Sequence, residues 1–208
     1  MQEVERIYQM LNEKLFHDFA GAICVINNSV ALIKSNENEI NDNALELIKI
    51  SSLKSVNYLK FYRFLYSVSR DNEVILFNEL KYLTINFISS MNQSLILEFK
   101  ASLSHAVTNN TAKIIMCLIV IITEKMETND IINISLINDD ISSKLQITTK
   151  SLNHSTTETP LFFTSKLNFN NLNMRNCHLY YTKYLMEKEN FKINISVLEN
   201  EILYEAIL

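Results

Sequence analysis

Apolar residues return at helical spacing from the first turn of the chain. On a helix turning about 100° per residue, Val4, Tyr8, Leu11, Leu15, Phe19, Ile23, Ile26, Val30 and Ile33 share one broad stripe, which predicts a helix over residues 3–34. The polar stretch Ser35-Asn36-Glu37-Asn38-Glu39 ends it. A second helical pattern starts near Asp42, a candidate N-cap, and carries Leu45, Ile48, Val56, Leu59, Phe61, Leu65 and Val68 to about residue 69. Two long helices joined by a short polar loop form an antiparallel hairpin. A lone hairpin cannot cover such stripes, so self-association into a four-helix bundle, giving a homodimer, is the simplest expectation.

After Arg70-Asp71 the elements shorten. Residues 73–91 keep helical spacing through Val74, Phe77, Leu80, Leu83 and Phe87, and 94–99 read as a strand. Asn109, Asn110 or Thr111 would cap a buried segment reaching Met126, whose β-branched richness leaves helix and strand both open. Residues 131–137 and 144–149 alternate as strands do, and 150–160, with the only proline, form a loop. A helix over 173–188, burying Leu179, Tyr180, Tyr184 and Leu185, precedes strands at 193–197 and 201–207. The fold class is therefore α+β: a helical hairpin domain over residues 1–70 and an α/β sandwich domain over 71–208.

Composition removes several functions. With one glycine and one proline in 208 residues, no glycine-rich phosphate cradle of the P-loop or dinucleotide kind exists. A net charge of −4 with scattered lysines gives no basic stripe, so no nucleic-acid partner is expected. Three cysteines, Cys24, Cys117 and Cys177, without paired spacing fit a reducing compartment. The N-terminus, opening with Glu3 and Glu5, has no signal-peptide pattern, and the longest apolar run, Ile114 to Ile122, is about half a membrane span. A cytoplasmic protein without a membrane partner is expected. His105, His154 and His178 lack metal-ligand spacing and read as structural; no metal site is expected.

The segment Leu15-Phe16-His17-Asp18-Phe19-Ala20-Gly21 carries the candidate chemistry. Glycine inside a helix costs about 1 kcal/mol relative to alanine, so the only glycine of the chain needs a reason here. His17 falls opposite the apolar stripe. At helical spacing around it stand Glu13, Ala20, Gly21, Cys24 and Asn28, mostly small side chains that would let another protein approach the imidazole closely.

These residues resemble the ChpT family of bacterial histidine phosphotransferases. Residues 15–33 are similar to that family's first-helix pattern C-H-D-L-x-S-P-x-G-A-I-x-N-G-L-E-L-L, with His17, Asp18, Ile26, Asn28 and Leu32 matching, and residues 176–185 resemble its N-V-Q-A-Y-Y-A-R-x-L segment. Gly21 stands where the family has serine, Ala22 where it has a helix-kinking proline, and Cys24 and Ser29 where it has glycines. The resemblance spans essentially the whole chain. It implies a dimeric four-helix bundle followed by a degenerate histidine-kinase ATP-binding domain. The stretch corresponding to the kinases' metal-binding helix, Met116 to Ile122, has no metal ligand, so neither nucleotide binding nor autophosphorylation is expected.

The implied activity is a phosphorelay. By that resemblance a receiver-domain aspartate of a hybrid histidine kinase, itself a membrane protein, would phosphorylate His17, expected at Nε2, and the group would pass to the aspartate of a response regulator, a cell-cycle transcription regulator of the CtrA type. A neutral imidazole is the nucleophile, available at cytosolic pH from an unperturbed pKa near 6.5. Asp18 would accept a hydrogen bond from the other ring nitrogen and fix the tautomer. This chain would bind no cofactor; Mg²⁺ would come with the receiver domain. Tyr62, Arg63 and Tyr66 of the second helix would join Glu13, Ala20, Gly21, Cys24 and Asn28 in the partner-binding rim. The competing expectations are an ATP-binding kinase fragment, disfavoured by the missing glycines and metal ligand, and a non-catalytic dimer that binds or sequesters receiver domains.

Overall fold

The computed structural model describes residues 2–33, 38–67, 73–91, 96–100, 106–124, 126, 131–138, 143–150, 163, 168–198 and 201–207. Helix α1 spans Gln2–Leu32 without a break, and α2 spans Asn38–Leu65. Asp42 is therefore not the N-cap; the helix starts four residues earlier, and Asp42 lies in its second turn. Expected loop residues 150–160 and the histidines at 105 and 154 fall, apart from Lys150, outside the described residues.

Beyond the hairpin the chain runs through β1 (Val74–Leu76), α3 (Phe77–Met91), β2 (Ile96–Lys100), β3 (Ala106–Thr108), α4 (Asn109–Thr123), β4 (Ile131–Asn138), β5 (Ser143–Lys150), a 3₁₀ turn (Phe169–Asn171), α5 (Cys177–Lys188), β6 (Ile193–Leu198) and β7 (Glu201–Ile207). The expected helix at 73–91 loses its first turn to β1, which pairs antiparallel with β3. The expected helix at 173–188 begins only at Cys177, because Asn173 and Asn176 turn the chain through side-chain hydrogen bonds to backbone groups. In it Tyr180 and Leu185 are buried as expected, Leu179 and Tyr184 only half-buried, and Tyr181 takes a buried place instead.

The main sheet has the order β2-β4-β5-β7-β6, with β2 parallel to β4 and every other neighbour antiparallel. Alternation puts Ile132, Ile134 and Leu136 of β4, Leu145 and Ile147 of β5, and Ile202, Tyr204 and Ala206 of β7 on one buried face. Register stacks them in rows, such as Ile134, Ile147 and Tyr204.

Helix α4 resolves the ambiguous segment. Thr108 caps it, its hydroxyl accepting from the backbone N–H of Thr111, so the cap lies one residue before the three candidates. Its residues from Ala112 to Thr123 are buried on every side, Lys113 among them with its ammonium donating to the Ser67 carbonyl, which is the condition under which a largely apolar helix belongs in a core and β-branching is tolerated. The base of the hairpin shares that core: Ile7, Leu11, Tyr58, Phe61 and Leu65 join the α4 and sheet residues in one cluster. Phe61 stacks on Phe87 of α3 with ring centroids 3.8 Å apart, and Tyr181 of α5 donates from its hydroxyl to the Leu65 carbonyl at 3.2 Å.

Candidate functional site

The stripe predicted for α1 splits in two. Ile7, Leu11, Ala22 and Ser29 are buried, and Leu15, Phe19 and Ile26 pack partly beside them, whereas Tyr8, Ile23 and Val30 are exposed together with Phe16. His17 faces away from the buried line and its side chain is 71% exposed. Its Nδ1 lies 3.4 Å from Asp18 Oδ1, a long contact that favours a proton on Nδ1 and leaves the Nε2 lone pair directed at solvent.

Asp18, 18% exposed, is the anchored member of the pair. Tyr62 of α2 donates its hydroxyl to Asp18 Oδ2 at 2.7 Å, the length of a charge-assisted bond. Burial, followed by the Asp18 charge, holds the Tyr62 phenol far above its ordinary pKa, so it stays a donor at any working pH. Lys14, one turn before Asp18, sits 3.9 Å from the same oxygen and 3.5 Å from Oε1 of Glu124, the C-cap residue of α4. Glu124 Oε1 is in turn 3.9 Å from Nδ1 of His178 on α5. His178 lies nearly parallel to Tyr62, centroids 6.4 Å apart.

His178 is fully buried, and neither ring nitrogen has a hydrogen-bond partner among the described residues. Burial, reinforced by Lys14, pushes its pKa down to about 3, outweighing the nearby Glu124 carboxylate. The ring is therefore neutral at pH 7, and its approach to Glu124 is not an ion pair.

Glu13, Ala20, Gly21, Cys24, Asn28 and Arg63 are all exposed. Tyr62 is not a rim residue: at 2% exposure it lies beneath Asp18, because α2 turns that position toward the core. Tyr66 also departs from the rim, half-buried with its hydroxyl enclosed, stacked on Tyr62 and edge-on to Tyr181. Lys14, Glu124 and His178 are site neighbours that the sequence did not announce. The i, i+4 spacing of Lys14 and Asp18 was legible, but nothing in the sequence pairs either with residues more than a hundred positions away.

Beyond its chain neighbours and the backbone of its own helical turns, a Cβ on Gly21 would meet no atom of the described residues within 4 Å. Gly21→Ala should therefore raise stability by about 1 kcal/mol, the helix-propensity difference, as read from the denaturation midpoint. An unchanged or lowered midpoint would mean that the glycine serves this chain's own packing.

The thiols of Cys117 and Cys177 are buried and pushed up to about 12 by desolvation, whereas Cys24 is exposed. Among the described residues no cluster of three or more His, Cys, Asp or Glu could hold a metal ion. Residues 116–122, the expected counterpart of the kinases' metal-binding helix, are wholly buried in apolar packing. By length and composition alone α1 could cross a membrane. Asp18, Asn27 and Asn28 interrupt the apolar residues of this stretch, and the anchoring of Asp18 to α2 and of Lys14 to the C-cap of α4 ties this helix to the rest of the fold.

No family model matches the sequence, and no curated protein does. Among solved structures, a bacterial phosphotransferase superposes with a TM-score of 0.81 over 96% of this chain and 95% of its own, at 18% identity. The histidine kinase AdeS of Acinetobacter baumannii matches with a TM-score of 0.50, 13% identity and coverage of 92% of this chain and 96% of its own. The catalytic domain of histidine kinase ThkA matches with 0.51, 13% identity, and 65% of this chain against 94% of its own. The chain thus shares its fold from end to end with a bacterial phosphotransferase, and about two thirds of it shares the fold of a histidine-kinase catalytic domain.

Proposed function

We infer that the chain is a histidine phosphotransferase, relaying a phosphoryl group from the receiver-domain aspartate of a hybrid histidine kinase through His17 to the aspartate of a response regulator. The observation that carries this reading is an exposed imidazole whose Nδ1 meets an anchored carboxylate. The end-to-end likeness to a bacterial phosphotransferase supports it.

In the first transfer the Nε2 lone pair attacks phosphorus while the bond from phosphorus to the donor carboxylate oxygen breaks, its electron pair leaving on the donor aspartate. The Nε2–P bond leaves Nδ1 protonated and the ring formally positive, and Asp18 offsets that charge. In the second transfer a carboxylate oxygen of the response regulator attacks phosphorus and the N–P pair returns to Nε2. Mg²⁺, brought by the receiver domain and not held by this chain, would supply charge stabilisation at the phosphoryl oxygens. This chain's part is positioning: a fixed tautomer, an unobstructed nitrogen, and small neighbours at Ala20, Gly21 and Cys24 that admit the receiver's loops, with Glu13, Asn28 and Arg63 at the rim.

The exposed apolar stripes of both helices are the surface of a homodimer, closed as a four-helix bundle. A relay that meets receiver domains of both partners in this way works in the cytoplasm, without binding nucleotide.

The test is transfer from a radiolabelled phosphorylated receiver domain of a hybrid kinase from the same organism. Wild type should acquire an acid-labile, base-stable label, and His17→Ala should acquire none. Binding of the receiver without label on wild type would replace the relay with a non-catalytic protein that sequesters receiver domains.

A further inference from the structure

The second region of the chain reaches the charged side chains beside the imidazole through Glu124, whose Oε1 lies 3.5 Å from the Lys14 ammonium. Adjacent residues on a helix point about 100° apart, so Asp18 does not face His17 by default. The Nδ1 contact is long, and what decides whether it persists is how firmly the carboxylate is held from its other side. Among the described residues, two groups hold Oδ2: the Tyr62 hydroxyl at 2.7 Å and the Lys14 ammonium at 3.9 Å.

The ammonium is itself placed by Glu124. That residue ends α4, with its backbone N–H bonded to the Val120 carbonyl, and α4 is enclosed by the core, so the Glu124 backbone has little freedom. The side chains of Lys14, Asp18 and Glu124 are each less than a quarter exposed. An ammonium between two carboxylates at this depth is screened less than an exposed pair and has a defined position.

We propose that Lys14 and Glu124 are positioning residues for phosphoryl transfer at His17: Glu124 fixes Lys14, and Lys14 with Tyr62 turns the free oxygen of Asp18 toward Nδ1. The inference rests on the phosphotransfer reading for its consequence, but not for its geometry. It gives the second region a task, which is to hold the carboxylate that holds the imidazole. Without the Glu124 charge, Lys14 loses the contact that places it; without Lys14, Oδ2 of Asp18 keeps the Tyr62 hydroxyl but not the ammonium.

The experiment uses the full-length protein with ¹⁵N-labelled histidine, assigning the His17 resonances by their absence from His17→Ala. In wild type the Nδ1–H tautomer should dominate, whereas a free imidazole prefers Nε2–H. Glu124→Gln and Lys14→Met should each move His17 toward the free-imidazole ratio and slow transfer from the phosphorylated receiver about tenfold, short of the ~100-fold that a full ångström of misplacement costs. The double variant should be no slower than either single one, since the two act as a unit, and Lys14→Arg should restore most of the rate.

A merely structural role predicts lower thermal stability with the tautomer of the folded fraction unchanged, and that result overturns the proposal, as does an unchanged transfer rate. The tautomer is read without any phosphodonor. Wild type that accepts no label while the variants still shift the tautomer would therefore refute phosphotransfer and keep the positioning of His17.

Discussion

Between pH 6.5 and pH 4 the protein should lose several kcal/mol of stability, and His178→Leu should remove most of that loss. His178 is neutral when folded, with its pKa pushed down to about 3, against about 6.5 when unfolded. Below pH 6.5 the unfolded chain takes up a proton that the folded chain refuses, so the stabilisation is complete above the unfolded pKa and drains away as the pH falls toward the folded one. Full expression of that difference is roughly 5 kcal/mol, a large part of the 5–15 kcal/mol that holds a domain together. Leucine at this position removes two ring nitrogens that have no partner among the described residues and keeps an apolar side chain beside Tyr62, so stability at pH 7 should change little. Urea denaturation of both proteins at a series of pH values checks this. Parallel curves would mean that carboxylates, not His178, set the acid limit.

The second large effect is on assembly. Phe16, Ile23 and Val30 recur every seven residues on α1, and Leu45, Leu53, Val56 and Leu59 line the face of α2 that the core leaves uncovered. Leu53→Glu with Val56→Glu should convert a dimer into a monomer. By two-fold symmetry the pair removes four apolar side chains from the interface, at about 1.5 kcal/mol or more each, hence roughly 6 kcal/mol and about four decades in dissociation constant. Sedimentation equilibrium reads the mass directly. A wild type that is monomeric at micromolar concentration would refute the dimer, and one that floats with phospholipid vesicles would assign the stripe to lipid, in keeping with the length and composition of α1.

The two hairpin helices, α3, the paired strands β4 and β5, and the last two strands arise from local periodicity, and their observed ends differ from the expected ones by a few residues at most. The face occupied by His17 was legible for the same reason, since its angle from the buried line is a property of the helix alone. Caps were less legible: Asp42 and Asn109 are good capping residues in isolation, but α2 begins at Asn38 and α4 is capped by Thr108, the last residue of β3, whose pairing with β1 sets where that helix starts.

By itself, then, the sequence determined the helical hairpin, the alternating strands, the exposed His17 beside Asp18 and the absence of any glycine-rich phosphate cradle, because each depends on residue type and spacing within one element. Tertiary structure alone decided that Tyr62 turns inward to Asp18, that Lys14 meets Glu124, and that His178 is buried beside Tyr62 and Glu124. It also decided which half of the α1 stripe is covered. The physical reason is that an apolar or polar position carries no address: periodicity says which residues share a face, and only packing between elements distant in sequence says what that face meets.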